Sequence, residues 1–452
     1  MKKTASQAPN LLQGPLLPNM TRFFLPIMLG SLLQQLYSMV DAVVLGRFVG
    51  KTALAAVGGS DLAIINLVVG FFIGLSSGAA VVVSQHDGAG ENTMVSKAVH
   101  TAIVFAAIIG AVMTVLGIAL ARPILVMLDP PEDTLADSII YLQWYFAGMI
   151  PSMIYNMGAG ILRAVGDSKR PLYFLIVCAA ANTVLDLLFV AVFHMGTAGA
   201  AIATSLSQLI CAALVIWTLA RIEGPCRLRR GQLRMDRALV RRMTAIGLPA
   251  GFASVMYTAA NVIIQKAINL LGTDAAAAWS VFWKLDGFFW PISSAIGITV
   301  MTFVGQNYGA RQHDRIRTCI HTGLAMHFGF SIAFSLLMFL TRGLMVRFFT
   351  DDGAVMAEGE KIIAMLAFFY PTFCCVEVLS SAMRGAGNSV MPTILTLFGT
   401  CILRLTLLFT VTFPHLSNWT IALCYPATWA ATSILFLVYY KCFRWLPNHQ
   451  AL

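Results

Sequence analysis

Ile161-Leu162-Arg163-Ala164-Val165-Gly166-Asp167-Ser168, with Pro171 just beyond, returns as Ala382-Met383-Arg384-Gly385-Ala386-Gly387-Asn388-Ser389, with Pro392 just beyond. At the same spacing, that from Arg163 to Arg384, Gln85-His86-Asp87-Gly88-Ala89 falls on Gln306-Asn307-Tyr308-Gly309-Ala310. Pro26 meets Pro249 and Pro151 meets Pro371 at very nearly that spacing. Landmarks in one order at nearly one spacing make the chain a doubled unit.

The solvent of that unit follows from composition. Of 452 residues, 58% are hydrophobic and only 11% charged, against ~25% charged in soluble domains, and the mean hydropathy is +0.78. A water-soluble globule cannot hide so much apolar surface, so lipid is the main solvent. Disorder, a nucleic-acid-binding domain and a secreted disulfide scaffold are excluded on the same ground. A bilayer asks for about 20 apolar residues per helix. Such runs stand at 20–46, 53–84, 95–121, 137–160, 171–193, 196–220, 243–271, 275–305, 317–341, 360–383, 391–413 and 418–440, twelve in all. With the N-terminus inside, 21 of the Lys and Arg residues fall on cytoplasmic segments and 6 on outer ones, the bias expected of a membrane protein with both ends inside. The densest basic run, Arg221 to Arg242, is then a cytoplasmic loop that anchors topology, and the net charge of +10 does not call for nucleic acid.

The fold class expected is an all-α polytopic membrane protein, with twelve transmembrane helices in two pseudo-symmetric six-helix lobes. Because six is even, both halves enter from one side, which gives a parallel repeat of the kind found in secondary transporters. The expected divisions are a cytoplasmic tail over 1–18, an N-lobe over 19–220, a basic linker over 221–242, a C-lobe over 243–440 and a cytoplasmic tail over 441–452. The first segment carries Lys2 and Lys3 but no apolar core with a cleavage site, so it is read as a tail and not a signal peptide. The nine cysteines sit mostly in apolar runs without a CxxC and are read as small core hydrophobes.

Other chemistries lack their residues. Gly46-Arg47-Phe48-Val49-Gly50-Lys51-Thr52 has three residues between its glycines where a phosphate loop needs four. It also falls on the expected outer side, away from ATP. No HExxH or pair of Asp-rich motifs is present. The chain is therefore read as a non-enzyme without cofactor or resident metal, driven by an ion gradient.

Ionisable residues inside a bilayer are expensive and mark function. Here they are Asp41, Asp61, Asp186, Lys266, Lys284, Asp286, Glu377 and Arg404: acids alone in the first half, bases and acids mixed in the second. Gln34, Tyr37 and Asp41 share one helix face at i, i+3 and i+7, and Asn182 and Asp186 share another at i, i+4. A rise of about 1.5 Å per residue puts Asp41, Asp186 and Thr204 at similar depth, ~9–12 Å inside the outer boundary. Two carboxylates, an amide and a hydroxyl without a base make an oxygen-lined site for a proton or a sodium ion. Burial and a like-charged neighbour both favour proton uptake. Asn182 and Thr204 can also be read as interhelical glue, and Asp61, near the end of its span, as hydrated. Pro26, Gln34, Tyr37 and Asp61 are assigned to the substrate cavity and its gating. In the second half Lys266, Asp286 and Glu377 are expected as a charge cluster, in which Lys266 neutralises one of the acids. Trp279, Trp283 and Trp290 lie nearby as cavity wall or core.

On Pro26 with Asp41, Asn182-Thr183-Val184-Leu185-Asp186, Gly199-Ala200-Ala201-Ile202-Ala203-Thr204, the twin Arg-x-x-Gly motifs at Arg163 and Arg384, and Gln306-Asn307-Tyr308-Gly309-Ala310, the sequence resembles the multidrug and toxic compound extrusion (MATE) family, in particular its DinF-like branch. The resemblance runs from about Pro18 to Lys441. It implies a two-lobed antiporter that exports bulky, cationic or aromatic drugs and toxins in exchange for protons or sodium ions. It also implies that Asp41, Asn182, Asp186 and Thr204 occupy the N-lobe ion site, and that bending of the first span at Pro26 expels substrate. Another branch of the family places coupling carboxylates in the seventh and tenth spans, where this chain has Gln265, Lys266 and Glu377. The alternative reading is a flippase of lipid-linked precursors from the same superfamily, which the acidic first half disfavours. The expected partners are small-molecule substrates and the lipid bilayer, with no nucleic acid. The chain is expected as a monomer in the prokaryotic cytoplasmic (inner) membrane.

Overall fold

The computed structural model describes residues 11–50, 53, 57, 60–128 and 132–447, and among these no strand is present. In lipid a backbone satisfies its own polar groups only by helix or closed barrel, and the long apolar runs here take the helix. They form α1 Leu16–Phe48, α2 Ser60–Gly88, α3 Asn92–Leu128, α4 Glu132–Ala147, α5 Met149–Ala164, α6 Lys169–Asp186, α7 Gly196–Arg221 and α8 Arg237–Asn269. There follow α9 Thr273–Asp286, α10 Phe289–Gly309, α11 His313–Phe349, α12 Gly353–Ala367, α13 Cys374–Gly385, α14 Val390–Thr396, α15 Leu403–Leu407 and α16 Asn418–Cys442. Among the described residues ten helical segments are long and apolar enough to cross a membrane, and the pair α12–α13, bent by 45°, makes an eleventh crossing. The remaining expected span is α4 with α5, two 16-residue helices interrupted at Gly148. Helix thus stands at all twelve expected places.

The described residues divide into two compact units, 21–251 with Leu11 and Leu12, and 252–447 with Gln13–Met20. The division crosses α1 after Met20 and α8 after Gly251. Residues 237–251 of α8 therefore belong to the first unit.

The repeat read from sequence recurs in the backbone. At the end of α2, Gly90 N–H donates to Asp87 O and Glu91 N–H to His86 O; at the end of α10, Arg311 N–H donates to Tyr308 O and Gln312 N–H to Asn307 O. Gly166 N–H to Arg163 O and Asp167 N–H to Leu162 O are matched by Gly387 N–H to Arg384 O and Asn388 N–H to Met383 O. Every one of these pairs keeps the spacing from Arg163 to Arg384. The turns need a left-handed residue: Gly90 has φ +73°, and its counterpart Arg311, which carries a Cβ, has φ +58°, a conformation that costs a non-glycine residue energy.

Within the first unit, α2 and α8 cross with their backbones in contact. A Cβ on Gly74 would overlap the backbone of Gly251, and one on Gly247 would come within 2.6 Å of Leu75 O. Gly74 and Gly78 face Gly247 and Gly251, so each helix offers a small-xxx-small stripe. In lipid, where apolar burial drives little, such close approach carries the packing. Beyond this crossing the basic linker is pinned to the C-terminal end of α2 and the N-terminal part of α3. Arg229 N–H donates to His100 Nε2 at 2.9 Å, Asp236 N–H to Thr101 Oγ1 at 3.2 Å and Arg242 Nη2 to Gln85 Oε1 at 2.6 Å. Cys226, a buried residue of the linker itself, has its thiol pushed up to about 12 by burial, which suits a core hydrophobe. Cys442 departs from that reading by being exposed.

Candidate ion-coupling site

In the first unit the acids of α1 and α6 meet. Asp186 is the last residue of α6 before a π-helical stretch, Leu187–Val192, continues the span. Both Asp186 and Asn182 are fully buried at 0% exposure, and Asp41 on α1 is half-buried. The carboxyl groups of Asp41 and Asp186 face one another within hydrogen-bonding range. Two ionised carboxylates offer only acceptors, so this contact becomes a hydrogen bond when one proton is held between them. Among the described residues no hydrogen-bond donor reaches Oδ1 of Asp41 or either carboxyl oxygen of Asp186, and both polar atoms of the Asn182 amide are buried without a partner. Buried polar atoms are paired as a rule.

Tyr37, half-buried, lies within electrostatic reach of Asp41, Tyr145 and Cys178, so the face read from the sequence does carry Tyr37 to the acid. Gln34, further along that face, is exposed. Thr204 lines a small cavity with Tyr145, Gly148, Ser152 and Gln208. Tyr145, on the same cavity wall, lies within electrostatic reach of Tyr37. Pro26 is buried within an unbroken α1. The side chain of Asp61 lies outside the described residues.

The second unit corrects the expected cluster of Lys266, Asp286 and Glu377. Asp286 accepts from Trp290 Nε1 at 2.6 Å and from Tyr370 OH at 2.8 Å. Glu377 takes Ser381 Oγ at 3.5 Å and lies within reach of Arg384. Lys266 is exposed, on the opposite face of α8 from the buried Ile264, Ala267 and Ile268, and no carboxylate among the described residues pairs with it. Its helical phase carries it outward, which a count of charges per span does not reveal. Trp279 and Trp290 are structural here: Trp279 donates to Asn418 Oδ1 at 2.9 Å while Trp290 holds Asp286. Sequence reasoning also missed His327, fully buried between Ser293 Oγ at 2.8 Å and Ser331 Oγ at 3.1 Å. The signal was present, since Ser331 stands one turn from His327 on the same helix face.

Two homologous sets of membrane-spanning helices, with unneutralised carboxylates buried inside one of them, define a multi-pass membrane transporter. The chain belongs to the MatE family, whose model matches residues 26–188 and again 249–410. The two matches open on Pro26 and Pro249, one per repeat. The chain is 28% identical to "Probable multidrug resistance protein YpnP" of Bacillus subtilis (strain 168), with 96% of each chain covered. It is 25% identical to "Probable multidrug resistance protein YoeA" of the same organism, with 94% of each covered. Its fold matches that of "Outward-facing conformation of a multidrug resistance MATE family transporter of the MOP superfamily" with a TM-score of 0.89 at 19% identity, covering 97% of this chain and 98% of the other.

Proposed function

We propose that this chain is a secondary antiporter of the DinF-like branch, exporting bulky cationic or aromatic compounds in exchange for protons or sodium ions. The observation that carries this reading is the donor-less pair Asp41–Asp186 beside the unpartnered Asn182 amide. A carboxylate at the centre of a membrane helix costs about 2.5–3.5 kcal/mol or more. Keeping two of them together without a base is explained by a cation that visits them. Two carboxylates and an amide carbonyl are hard oxygen donors, fit for sodium, and the facing carboxyls are equally fit to share a proton. Export is coupled if the ion binds more tightly to one shape of the unit than to the other, because only differential affinity shifts a conformational equilibrium. Charged, the pair favours a hydrated, open site; neutralised, it allows apolar surface to close around it, with α1 bending at Pro26, where a backbone hydrogen bond is missing. The names of the YpnP and YoeA relatives support a drug-like substrate, and the charge bias supports an inner-membrane protein with both ends in the cytoplasm. In proteoliposomes loaded with a lipophilic cation such as ethidium, an imposed proton or sodium gradient should drive counterflow in the absence of ATP. Flux indifferent to both gradients would overturn the reading.

A further inference from the structure

The acid site of the first unit is made where span 1 meets span 5, and the corresponding spans of the second unit, α8 and the one containing α15, also meet on a buried ion. There Tyr257 and Asn261 meet Arg404. Tyr257 and Asn261 follow Tyr37 and Asp41, and Thr428 follows Gln208, at one common spacing, a single position short of that at which the backbone turns repeat. The tyrosine is kept, the acid has become an amide, and the buried ion has changed sign.

Arg404 is fully buried at 0% exposure. Nη1 donates to Asn261 Oδ1 at 3.0 Å and Nη2 to Thr428 Oγ1 at 3.3 Å. The guanidinium lies 5.3 Å from the ring centre of Tyr257 and 5.0 Å from that of Tyr425. Its Nε is buried without a partner, and no carboxylate pairs with it among the described residues. A guanidinium carries five donors in a planar fork; Asn261, Thr428 and the Tyr257 hydroxyl engage part of it, and Nε is left over. The segment that carries it, α15, is five residues long between π-helical stretches Leu397–Ile402 and Leu408–Thr412, the kind of helical irregularity found at functional sites. Aromatic side chains surround it: Tyr257 packs on Trp290, and Tyr425 packs on Trp279 and Trp429.

We propose that Arg404, with Asn261, Thr428 and the rings of Tyr257 and Tyr425, forms an oxyanion-binding subsite of the second unit that takes the carboxylate of a planar aromatic ligand. An uncompensated buried cation is costly, and removing it from water is repaid when an anion completes the pair. The guanidinium fork matches a carboxylate with two parallel hydrogen bonds, and Tyr257 and Asn261, both half-buried, leave a side of the site at which an aromatic ligand would stack on the Tyr257 ring. The inference does not rest on ion coupling in the first unit, and binding alone tests it without a gradient.

The test is equilibrium dialysis of radiolabelled 2-naphthoate against the full chain in neutral-lipid nanodiscs, with methyl 2-naphthoate and 2-naphthylmethylammonium as matched neutral and cationic probes. The parent chain should bind the acid saturably and at least about tenfold more tightly than the ester. Arg404→Gln should remove that preference and leave the ammonium probe unaffected, whereas Arg404→Lys, which keeps the charge but not the fork, should fall between. Equal binding of acid and ester by the parent chain, or no saturable binding of the acid, overturns the proposal even if Arg404→Gln fails to fold. A folded Arg404→Gln variant that keeps the acid preference overturns it as well.

Discussion

Asp186 and Asp41 differ from the other charged residues of the spans in what surrounds them. Asp286 has two strong donors and Glu377 has Ser381 and Arg384 near it, whereas Asp186 has, among the described residues, only the carboxyl of Asp41 facing it. Replacing Asp186 by Asn should therefore leave the protein folded and inserted while lowering gradient-driven export at least about tenfold, because the cost of the buried charge disappears together with its ligand. Transport assays at matched membrane expression check this, and a variant with parental flux would remove Asp186 from the coupling site. Asp286→Asn should act chiefly on stability, weakening charge-assisted bonds worth about 1.5–3 kcal/mol each, which thermal unfolding in detergent measures. The shared face of Asn182 and Asp186 was legible in the sequence because i, i+4 spacing fixes it whatever the tertiary structure, whereas the meeting of Asp186 with Asp41 rests on the approach of two helices, of which the sequence offered only a similar depth. Lys266 was misread because pairing depends on the azimuth of one helix relative to its neighbours, which a charge tally does not contain.

At the scale of elements, close crossings and weak points in helices decide which parts can move. The crossing of α2 with α8 leaves no room for side chains at Gly74, Gly78, Gly247 or Gly251. Gly247→Leu should force the two backbones apart and destabilise the chain by about 1–3 kcal/mol, the usual cost of overpacking, visible as a lowered Tm; an unchanged Tm would show that the crossing is looser than described. In α1, Pro26 removes one backbone hydrogen bond within a helix that is otherwise continuous over 33 residues. Pro26→Ala should slow turnover while substrate still binds, and should add little when Asp41 is already Asn. Spin-label distances along α1 report the bending itself, and distances that do not respond to pH in the parent chain would contradict it. The twelve spans were legible as apolar runs. The interruptions at Gly148 and between α12 and α13 were not, because hydropathy is averaged over a window and a break in the backbone leaves no mark on that average.

At the scale of the whole molecule, the chain is one design written twice with different charges. Matching backbone turns at a single spacing along the chain show that the framework is shared. The sign of the buried ion, carboxylate in the first unit and guanidinium in the second, shows where the copies part. That divergence was partly legible, since among the ionisable residues read inside the spans acids stand alone in the first half and bases join them in the second, but the partners of Arg404 come from Asn261 and Thr428, 143 and 24 residues away. The central claim is that the acid pair of the first unit couples ion movement to export. Its most direct test is substrate-triggered ion release: drug is added to the purified chain in weakly buffered or sodium-loaded nanodiscs, and released protons or sodium are read by a pH dye or a sodium electrode. The account predicts release from the parent chain and none from the Asp41→Asn, Asp186→Asn double variant at equal drug occupancy; equal release from both would contradict it.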